Sequence, residues 1–279
     1  TDVSAMDGYA VRAEDVAHVP ATLTQIGESA AGSAFRGTVG PGQTTRIFTG
    51  APMPDGADTI VIQEDTEVSG DQVTMKESSA KGRYVRPAGL DFQFGDVGVT
   101  ANRVLSARDV GLAAAMNVPW LTVTRRPRIA LLATGDEIVR PGEPVGPNQI
   151  ISSNTIALMG LIKAAGGEAI DLGIASDDED SLRALASGAR GADMLVTLGG
   201  ASVGDHDLVR KVLGQDGLEL NFWRIAMRPG KPLIFGQIGE TPMMGMPGNP
   251  VSSLVCGIVY LRPAIRAMLG LDPHAVSQT

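Results

Sequence analysis

From Arg128 onward, short apolar segments of β type alternate with segments of helical spacing, and this alternation constrains the fold more than any other feature. Strands that alternate with helices are typical of parallel βαβ units with right-handed crossovers. We therefore predict an α/β domain of three layers, with a mostly parallel sheet, over residues 127–270. The predicted strands are Ile129–Ala133, Ala169–Ile174, Met194–Leu198, Leu218–Ala226, Leu233–Ile238 and Met243–Met246.

The segments between these strands carry recognisable helix ends. Asn154–Ala165 has helical spacing and stops at Gly166-Gly167, because glycine adopts the left-handed conformation that ends many helices. Residues 176–179 are Ser-Asp-Asp-Glu, which matches a capping box for a helix near 180–189. The other predicted helices are Leu208–Leu213 and a long last helix that begins at Asn249-Pro250, with proline at its first position.

The first third of the chain is predicted to be a smaller, mostly β domain. Short β-prone runs are separated there by Gly/Pro turns, and helical periodicity is missing. The runs are Thr44–Thr49, Thr59–Gln63 and Gln72–Lys76.

These patterns predict four parts: a mostly β domain at 1–90, a linker with a helical segment at 91–126, the α/β domain at 127–270 and a tail at 271–279. Within the linker, Ser106 is typical of an N-cap for a short helix through Met116. Leu121–Thr124 is predicted to be a strand.

The charge balance argues against a nucleic-acid partner. The 279-residue chain has 23 Lys+Arg against 31 Asp+Glu, a formal net charge of −8, so it lacks the positive field of most nucleic-acid binders. Aromatic residues are only 4% of the chain, too few for a wide platform on which bases could stack.

The single cysteine, Cys256, excludes an internal disulfide and is expected to be a buried, inert thiol in the apolar run Leu254–Leu261. That run has only eight residues, far below the ~20 that span a bilayer. No signal peptide is visible in the sequence. These observations favour a cytoplasmic protein without a membrane-spanning segment.

The loops next to the predicted strands are rich in glycine or proline, and most carry a polar or charged side chain. Ligands of open parallel sheets bind outside the carboxyl ends of the strands, so we expect these loops to form one site. They are TGDE (134–137), SDD (176–178), GGASVGDHD (199–207), RPGKP (228–232) and PGNPVSS (247–253).

Two features of these loops favour an oxyanion such as phosphate. Gly199-Gly200, with Ser202 and Gly204, lets backbone N–H groups approach an anion, because glycine has no Cβ to block it. Lys231 adds a positive charge on a loop stiffened by prolines. Each loop alone is equally compatible with tight-turn glycines and a solvated lysine, whereas the set favours the anion.

Carboxylates crowd the same predicted edge, which favours a cation beside the anion. Mg²⁺ is a hard ion that takes oxygen ligands and bridges carboxylates to phosphates. Asp178 has the alternative role of capping its helix and Asp205 that of a turn residue, whereas a functional role is favoured for Glu137 and Asp207. The acids are Asp136, Glu137, Asp177, Asp178, Asp205 and Asp207.

The three histidines do not form a zinc constellation with the single cysteine. His206 lies among the loop acids, where it is either a catalytic base or, as we favour, a hydrogen-bonded or solvated side chain without a catalytic role. The sequence contains neither a G-x-S-x-G elbow nor a G-x-x-x-x-G-K-[ST] phosphate loop.

A set of segments, in order over nearly the whole chain, resembles the MoeA-type molybdopterin molybdenumtransferases, which are related to the gephyrin E domain. The combination of SAMDGYAVR with PGKP and PGNPVS is the most specific part of the resemblance. The segments are SAMDGYAVR (4–12), RIFTGAPMPDGAD (46–58), ATGDEIVRPGEP (133–144), SNTIALMGLIKAAGG (153–167), TLGGASVGDHDLV (197–209), RPGKPLIFG (228–236) and MPGNPVSS (246–253).

The resemblance implies an α/β domain of the molybdopterin-binding type and a role in molybdenum cofactor biosynthesis. It implies that molybdate and adenylylated molybdopterin are the substrates, that molybdenum is placed on the dithiolene, and that AMP leaves in an Mg²⁺-dependent reaction. The catalytic positions that it carries over are Asp7, Thr49, Asp91, Glu137, Asp177, Asp207 and Lys231.

The motif loops supply the remaining predicted site residues. Mg²⁺ is expected to be held by Glu137, Asp177 and Asp207. The substrate is expected to be bound by Gly199, Gly200, Ser202, Gly204, Arg224, Arg228, Pro247, Asn249, Pro250 and Ser252. The resemblance also implies a homodimer, in which the β-rich segment of one subunit lies against the α/β domain of the other, and a molybdopterin adenylyltransferase as a partner.

The chain departs from the family pattern at several places. Arg224 and Arg228 stand where the family often has lysine, and guanidinium groups bind oxyanions with a different geometry from ammonium groups. Leu90, beside Asp91, stands where the family usually has an acid, so one carboxylate is lost. The family's N-terminal helical arm and C-terminal β-barrel domain are expected to be absent from this chain.

Two alternatives to the transferase therefore stay open. One is a non-catalytic pterin-binding or scaffolding dimer of the gephyrin type. The other is a different Mg²⁺-dependent enzyme that acts on a nucleotide or phosphate on the same fold, since a fold alone does not specify a reaction.

Overall fold

The computed structural model describes residues 1–199 and 208–274, and the chain divides into two compact units, Thr1–Gly98 and Val99–Thr279. The predicted boundaries at 90/91 and 126/127 stay predictions.

The first unit is built on a six-stranded sheet in the order β5-β2-β4-β3-β7-β6. All neighbouring strands in it are antiparallel except β3 and β4, which are parallel. A separate antiparallel pair joins β1 to β8, and short 3-10 helices cover Ala13–Val16 and Gln63–Asp65. The strands are β1 (Val3–Ser4), β2 (Gly8–Val11), β3 (Ala21–Ser29), β4 (Gln43–Ile47), β5 (Thr59–Ile62), β6 (Thr66–Ser69), β7 (Gln72–Met75) and β8 (Val85–Arg86).

Both faces of this sheet are covered, and β2 shows how. Successive side chains of a strand point to opposite faces, so Tyr9 and Val11 enter one buried cluster while Ala10 enters the other. The first cluster continues with Leu23, Val61, Val73 and Met75, and the second with Ile47, Ala51 and Ile60. The prediction of a smaller, mostly β part at the start of the chain is confirmed.

The second unit contains a six-stranded sheet in the order β12-β9-β13-β16-β15-β14, in which the first four strands pair in parallel and β15 is antiparallel to both neighbours. The elements are α1 (Ala107–Ala115), β9 (Arg128–Thr134), β10 (Ile138–Val139), β11 (Ile150–Ile151), α2 (Asn154–Ala164), β12 (Glu168–Ala175), α3 (Glu179–Ala186), β13 (Met194–Leu198), α4 (Leu208–Gln215), β14 (Leu218–Phe222), β15 (Ile234–Ile238), β16 (Thr241–Met246), α5 (Pro250–Cys256) and α6 (Arg262–Met268). A π-helical turn at Gly257–Leu261 joins α5 to α6, and a 3-10 turn follows α3 at Ser187–Ala189.

Two buried clusters lie on opposite faces of this sheet, which confirms the predicted three layers. Ile129 and Leu131 of β9 belong to the cluster covered by α2, α5 and α6. Ala130 and Leu132, the alternate residues of the same strand, belong to the cluster that contains Leu182 of α3 and the apolar side of α4. Helices on both faces are the expected cover for a parallel sheet.

Three details differ from the sequence predictions. Leu121–Thr124 is not a strand: the segment pairs with no other strand, and Leu121 and Val123 are exposed. β-Branched residues favour a strand only where a neighbouring strand supplies packing and hydrogen bonds. The strand predicted over Leu218–Ala226 ends at Phe222, before the loop that leads to β15.

The third difference concerns the start of α3. The N-cap is Asp178 rather than Ser176 of the predicted capping box, and its Oδ2 accepts a hydrogen bond from the Ser181 amide at 2.8 Å. The helix therefore begins at Glu179. Asp178 thus takes the alternative, structural role that its position allowed, since an N-cap carboxylate satisfies an otherwise unpaired amide of the first turn. By contrast, the predicted cap of α1 at Ser106 is confirmed.

Replacing Asp178 should lower stability without altering the loop acids around it. We expect Asp178→Ala to reduce the free energy of unfolding of the second unit by about 1 kcal/mol, the usual cost of losing an N-cap. Both tryptophans, Trp120 and Trp223, lie in this unit, so urea denaturation followed by tryptophan fluorescence reports on it. Asp178→Ser, which retains a capping oxygen, should be close to wild type; an equal loss in both variants would contradict the capping role.

Candidate functional site

Four of the five loops predicted to form the site, together with Gly199 of the fifth, meet at one edge of the second sheet. The parallel strands β9, β12, β13 and β16 all end there, at Thr134, Ala175, Leu198 and Met246. Because β15 runs in the opposite direction, the loop 228–232 that leads into it reaches the same edge. The sheet topology therefore gathers segments that are more than a hundred residues apart in the sequence, as the rule for open parallel sheets predicts.

Backbone contacts join the loops after β13 and β16. The amide of Gly199 donates to the carbonyl of Met246 at 3.2 Å. The side-chain Nδ2 of Asn154, at the start of α2, donates to the carbonyl of Gly248 at 2.7 Å. The N-terminus of α2, Gly199 and the loop after β16 are thus connected.

On the other side of β9, Asp136 and Asp177 are held together. The Oδ1 of Asp136 accepts a hydrogen bond from the backbone amide of Asp177 at 3.1 Å. The amide of Gly135 donates to the carbonyl of Ala175 at 3.1 Å, which ties the same two loops a second time. The structure therefore brings together the TGDE and SDD loops, as the strand order requires.

Glu137 takes a different direction from Asp136. Its carboxylate folds back over Gly135, which has a φ of +130°, and occupies the space that a Cβ at Gly135 would need. Its backbone carbonyl accepts a hydrogen bond from Ile150 at 2.7 Å, which anchors the short parallel pair of β10 and β11. Glu137 is exposed, so its side chain is free to accept a ligand from solvent.

The described residues do not by themselves complete the magnesium site predicted from Glu137, Asp177 and Asp207. Among residues 1–199 and 208–274, no group of three or more His, Cys, Asp or Glu side chains is close enough to hold a metal ion. Asp207 lies outside the described residues. A magnesium ion needs several oxygen ligands, so we derive no reaction step through it.

Gly199, the first residue of the predicted anion-binding loop, has no room for a side chain. Gly199 has a φ of +91°, and a Cβ there would lie 2.9 Å from the carbonyl oxygen of Thr134. The loop after β13 can therefore pass this close to β9 only without a side chain. The other predicted cradle residues, Gly200, Ser202 and Gly204, lie outside the described residues, as do Asp205 and His206.

The predicted cations Arg224, Arg228 and Lys231 are all exposed. The guanidinium of Arg224 lies 3.9 Å from the ring centroid of Trp223, and that of Arg210 lies 5.1 Å from the same ring. Cation–π contacts of this kind orient a cation without neutralising it. The sequence analysis missed Trp223, although an aromatic residue directly before a candidate anion-binding arginine is a usable signal.

The RPGKP loop rests on the buried cysteine. Gly230 has a φ of +109°, and a Cβ there would lie 2.8 Å from the Sγ of Cys256. Cys256 is fully buried, and burial raises the pKa of its thiol. The prediction that this thiol is buried is confirmed; its inertness stays a prediction, which the raised pKa and the packing against Gly230 favour.

In the PGNPVSS loop, Asn249 caps the last helix as predicted. Its side chain accepts a hydrogen bond from the Ser252 amide at 3.1 Å, and Pro250 occupies the first turn of α5. Substrate binding by Pro247, Asn249, Pro250 and Ser252 stays a prediction.

A cavity of about 400 Å³ opens beside the paired acids and was not foreseen from the sequence. Asp136 and Ser176 line it at the sheet edge, and Arg140 and Glu143 line it further along the TGDE loop. The Nη2 of Arg140 lies 3.9 Å from the Oδ2 of Asp171. Sequence reasoning missed Arg140, because Asp171 of β12 comes close to it only through the pairing of β12 with β9.

In the first unit, Asp7 and Thr49 form a direct pair. The Oδ1 of Asp7 accepts hydrogen bonds from the Thr49 amide at 2.7 Å and from the Thr49 hydroxyl at 2.9 Å. These two bonds, the amide first, lower the pKa of Asp7, and the positive charge of Arg46 adds to the effect. Asp91, the third predicted residue of this unit, is exposed on an irregular segment.

Comparisons with known proteins agree with this fold and with the motifs. A family model for the MoeA N-terminal region (domain I and II) matches residues 1–117, and one for a probable molybdopterin binding domain matches residues 130–267. The protein thus combines an α/β domain of the molybdopterin-binding class with a MoeA-type N-terminal part. A solved MoeA protein of molybdopterin biosynthesis from Pyrococcus horikoshii superimposes with a TM-score of 0.84 at 35% identity, covering 97% of this chain and 69% of that one.

Curated relatives narrow the class to a family. The molybdopterin molybdenumtransferase of Nostoc sp. is 40% identical, over 97% of this chain and 64% of its own length. Molybdopterin molybdenumtransferase 2 of Mycobacterium tuberculosis is 36% identical, over 98% of this chain and 70% of its own length. The chain belongs to the molybdopterin molybdenumtransferase family, a family of transferases in molybdenum cofactor biosynthesis, and spans about two thirds of the length of these relatives.

The close approach of Gly199 to Thr134 can be tested against a glycine of the same conformation. Gly217 also has a φ of +91°, but no atom lies within 4 Å of the position of its Cβ. We expect Gly217→Ala to lower the free energy of unfolding by about 1–2 kcal/mol, because alanine is unfavourable in the left-handed backbone conformation. Gly199→Ala should lower the free energy of unfolding by roughly 1–3 kcal/mol more than this, because its methyl group also collides with the carbonyl of Thr134.

Urea denaturation followed by tryptophan fluorescence measures both variants in the same unit. Equal losses of unfolding free energy in the two variants would show that the backbone at Gly199 can move away from Thr134. In that case the predicted cradle would not be rigidly placed at the sheet edge.

Proposed function

We propose that this protein inserts molybdenum from molybdate into adenylylated molybdopterin and releases AMP, within molybdenum cofactor biosynthesis in the cytoplasm. The observation that carries the proposal is the meeting of the TGDE, SDD, RPGKP and PGNP loops, with Gly199, at one sheet edge. The family supports the handling of molybdopterin and molybdenum, since the curated relatives are named for that transfer.

The side chains at this edge suit a reaction that depends on positioning and charge. Lys231 and Arg228 are exposed cations on a short loop, suited to bind the phosphates of the substrate or molybdate. The backbone of Asp177 is held by the Asp136 carboxylate, and we propose that the Asp177 side chain orients a water molecule for hydrolysis of the adenylate. Magnesium held by Glu137, Asp177 and Asp207 stays part of the proposal as the counter-ion of these acids.

Asp7, Thr49 and Asp91 belong to the first unit, and we propose that they reach the α/β edge within a homodimer. An exposed apolar stripe on the last helix supports self-association: Val251 is 65% exposed, and Leu254, Ile258 and Val259 are also exposed. Stripes of this kind are typical of protein interfaces. A molybdopterin adenylyltransferase, which makes the adenylylated substrate, is the second proposed partner.

The same helix explains why an apolar stretch does not by itself indicate a membrane. By length and composition, Pro250–Met268 is the one helix in the described residues that could cross a bilayer. Its inner side, however, packs on the sheet through Cys256, Leu261 and Ile265, which are fully buried. A helix with one side in a protein core and a few exposed apolar residues is better explained as an amphipathic surface helix.

A non-catalytic, pterin-binding scaffold is the second candidate. It is favoured by one observation on the sequence: Leu90, beside Asp91, stands where the family pattern has an acid. The two candidates differ in product formation. A purified protein that binds adenylylated molybdopterin saturably, yet releases no AMP with molybdate and magnesium, would be a scaffold.

The carboxylate of Asp177 provides the direct test of the proposed reaction. We expect Asp177→Asn and Asp207→Asn each to reduce the rate of AMP release by at least about 100-fold, the scale associated with a lost acid–base or positioning group. Asp180→Asn is the matched control, because Asp180 lies three residues further along the chain, its side chain is 96% exposed, and it forms a long ion pair with Arg183, at 3.7 Å.

The assay measures AMP from the purified protein with molybdate, magnesium and adenylylated molybdopterin, alongside circular dichroism to establish folding. The assignment fails if both aspartate variants release AMP at the wild-type rate. It also fails if the Asp180 control loses as much activity as the other two variants.

A further inference from the structure

Arg46, the first residue of the RIFTGAPMPDGAD segment but not one of the predicted site residues, contacts the main chain around Asp7. Its Nη1 donates to the carbonyl of Gly8 at 3.2 Å, and its Nη2 donates to the Oε1 of Gln63 at 2.6 Å. The backbone amide of Gln63 in turn donates to the carbonyl of Asp7 at 3.2 Å. The guanidinium therefore holds the carbonyl of Gly8 directly and that of Asp7 through Gln63.

The same guanidinium contacts two aromatic rings whose residues are close in sequence to Asp7 and Thr49. Its Cζ is 5.0 Å from the ring centroid of Tyr9 and 5.0 Å from that of Phe48. Tyr9 follows Asp7 by two residues and is buried, whereas Phe48 directly precedes Thr49. Arg46 thus contacts both segments, and two rings with two directed hydrogen bonds leave its side chain little freedom.

The charge of Arg46 also acts on Asp7. The pKa of Asp7 is lowered chiefly by the Thr49 amide and hydroxyl, and Arg46 lowers it further. Two other charged groups lie near this network. Glu28 stands opposite Arg46 in the pairing of β3 with β4, and the Oε1 of Glu64 accepts a hydrogen bond from Gln63 at 3.4 Å.

We propose that Arg46 is a positioning residue, which fixes the segments of Asp7 and Thr49 so that the Asp7 carboxylate keeps both of its hydrogen bonds. The part that this pair plays in turnover rests on the proposed function. The positioning itself is a property of the first unit and can be measured without substrate. An arginine that acted on Asp7 only through its charge could be replaced by lysine without changing the ionisation of Asp7.

The test compares Arg46→Met and Arg46→Lys with a matched control, Arg83→Met, in the full chain. Arg83 also lies over a tyrosine of the same unit, 4.9 Å from the ring centroid of Tyr84, and donates to a backbone carbonyl, that of Ser78. NMR titration of the Asp7 side-chain carboxyl carbon then reports its ionisation. We expect Arg46→Met to raise the titration midpoint of Asp7 and Arg83→Met to leave it at the wild-type value.

Arg46→Lys keeps the charge and can still contact a ring, but an ammonium group lacks the planar fork that reaches Gly8 and Gln63 together. We therefore expect it to shift the Asp7 midpoint in the same direction, by less than methionine does. If the methionine variant does not fold, the lysine variant decides the outcome. A folded Arg46→Lys variant with the wild-type Asp7 titration would overturn the proposal, because the charge alone would then account for any effect of methionine.

Kinetics supply the second readout. We expect Arg46→Met to reduce kcat for AMP release by about 10–100-fold with little change in KM, since a displacement of about 1 Å in a catalytic group costs up to roughly 100-fold. The acid limb of the pH profile of kcat should move to higher pH, because Asp7 would stay protonated over a wider range. An unchanged kcat and pH profile in a folded Arg46 variant would contradict the proposal.

The two proposals fail in distinguishable ways. If wild-type protein releases no AMP while Arg46→Lys still shifts the Asp7 titration, positioning by Arg46 stands and the proposed function falls. If wild-type protein is active while neither Arg46 variant changes the Asp7 titration or kcat, the proposed function stands and positioning by Arg46 falls.

Discussion

The parallel pairing of β9 with β12 and β13 is the constraint on which the candidate site depends. In this register Thr134 pairs with Ala175, and Ala133 pairs with Leu198, so the loops that follow these strands leave the sheet side by side. Hydrogen bonds then hold the loops at that edge, above all the bond from the Asp177 amide to Asp136. A shift of one residue would reverse the faces of the strand and bury its polar ends, which the two apolar clusters oppose.

In the first unit, strand pairing likewise brings together two candidate site residues that are distant in the sequence. Asp7 and Thr49 are 42 residues apart, and antiparallel pairing of β2 with β4 brings their segments together. Two hydrogen bonds from Thr49 then keep the Asp7 carboxylate ionised and directed, since both favour its charged form. In both units, therefore, a predicted acid is held by a backbone amide from a neighbouring segment. This arrangement fixes the position of the charge and leaves part of the carboxylate available to a ligand.

The parts of the structure that the sequence predicted are those whose signals are local. β9 and β13 are continuous apolar runs, α2 stops at a glycine pair, and Asn249-Pro250 begins the last helix, so each element carries its own signal. Leu121–Thr124 was wrongly predicted because its β-prone residues have no partner strand. The motifs predicted Asp7 and Thr49 as site residues, but not the bond between them. Arg46 and Arg140 were missed because their roles arise only from tertiary neighbours.

Hydrogen–deuterium exchange of the full chain, with and without adenylylated molybdopterin, tests most directly whether the loops at the sheet edge bind the substrate together. The peptides that contain residues 134–137, 176–178 and 247–253 should become protected in parallel, with one dissociation constant, while the β6–β7 hairpin stays unchanged. Protection confined to a single loop, or located away from this edge, would contradict a shared site.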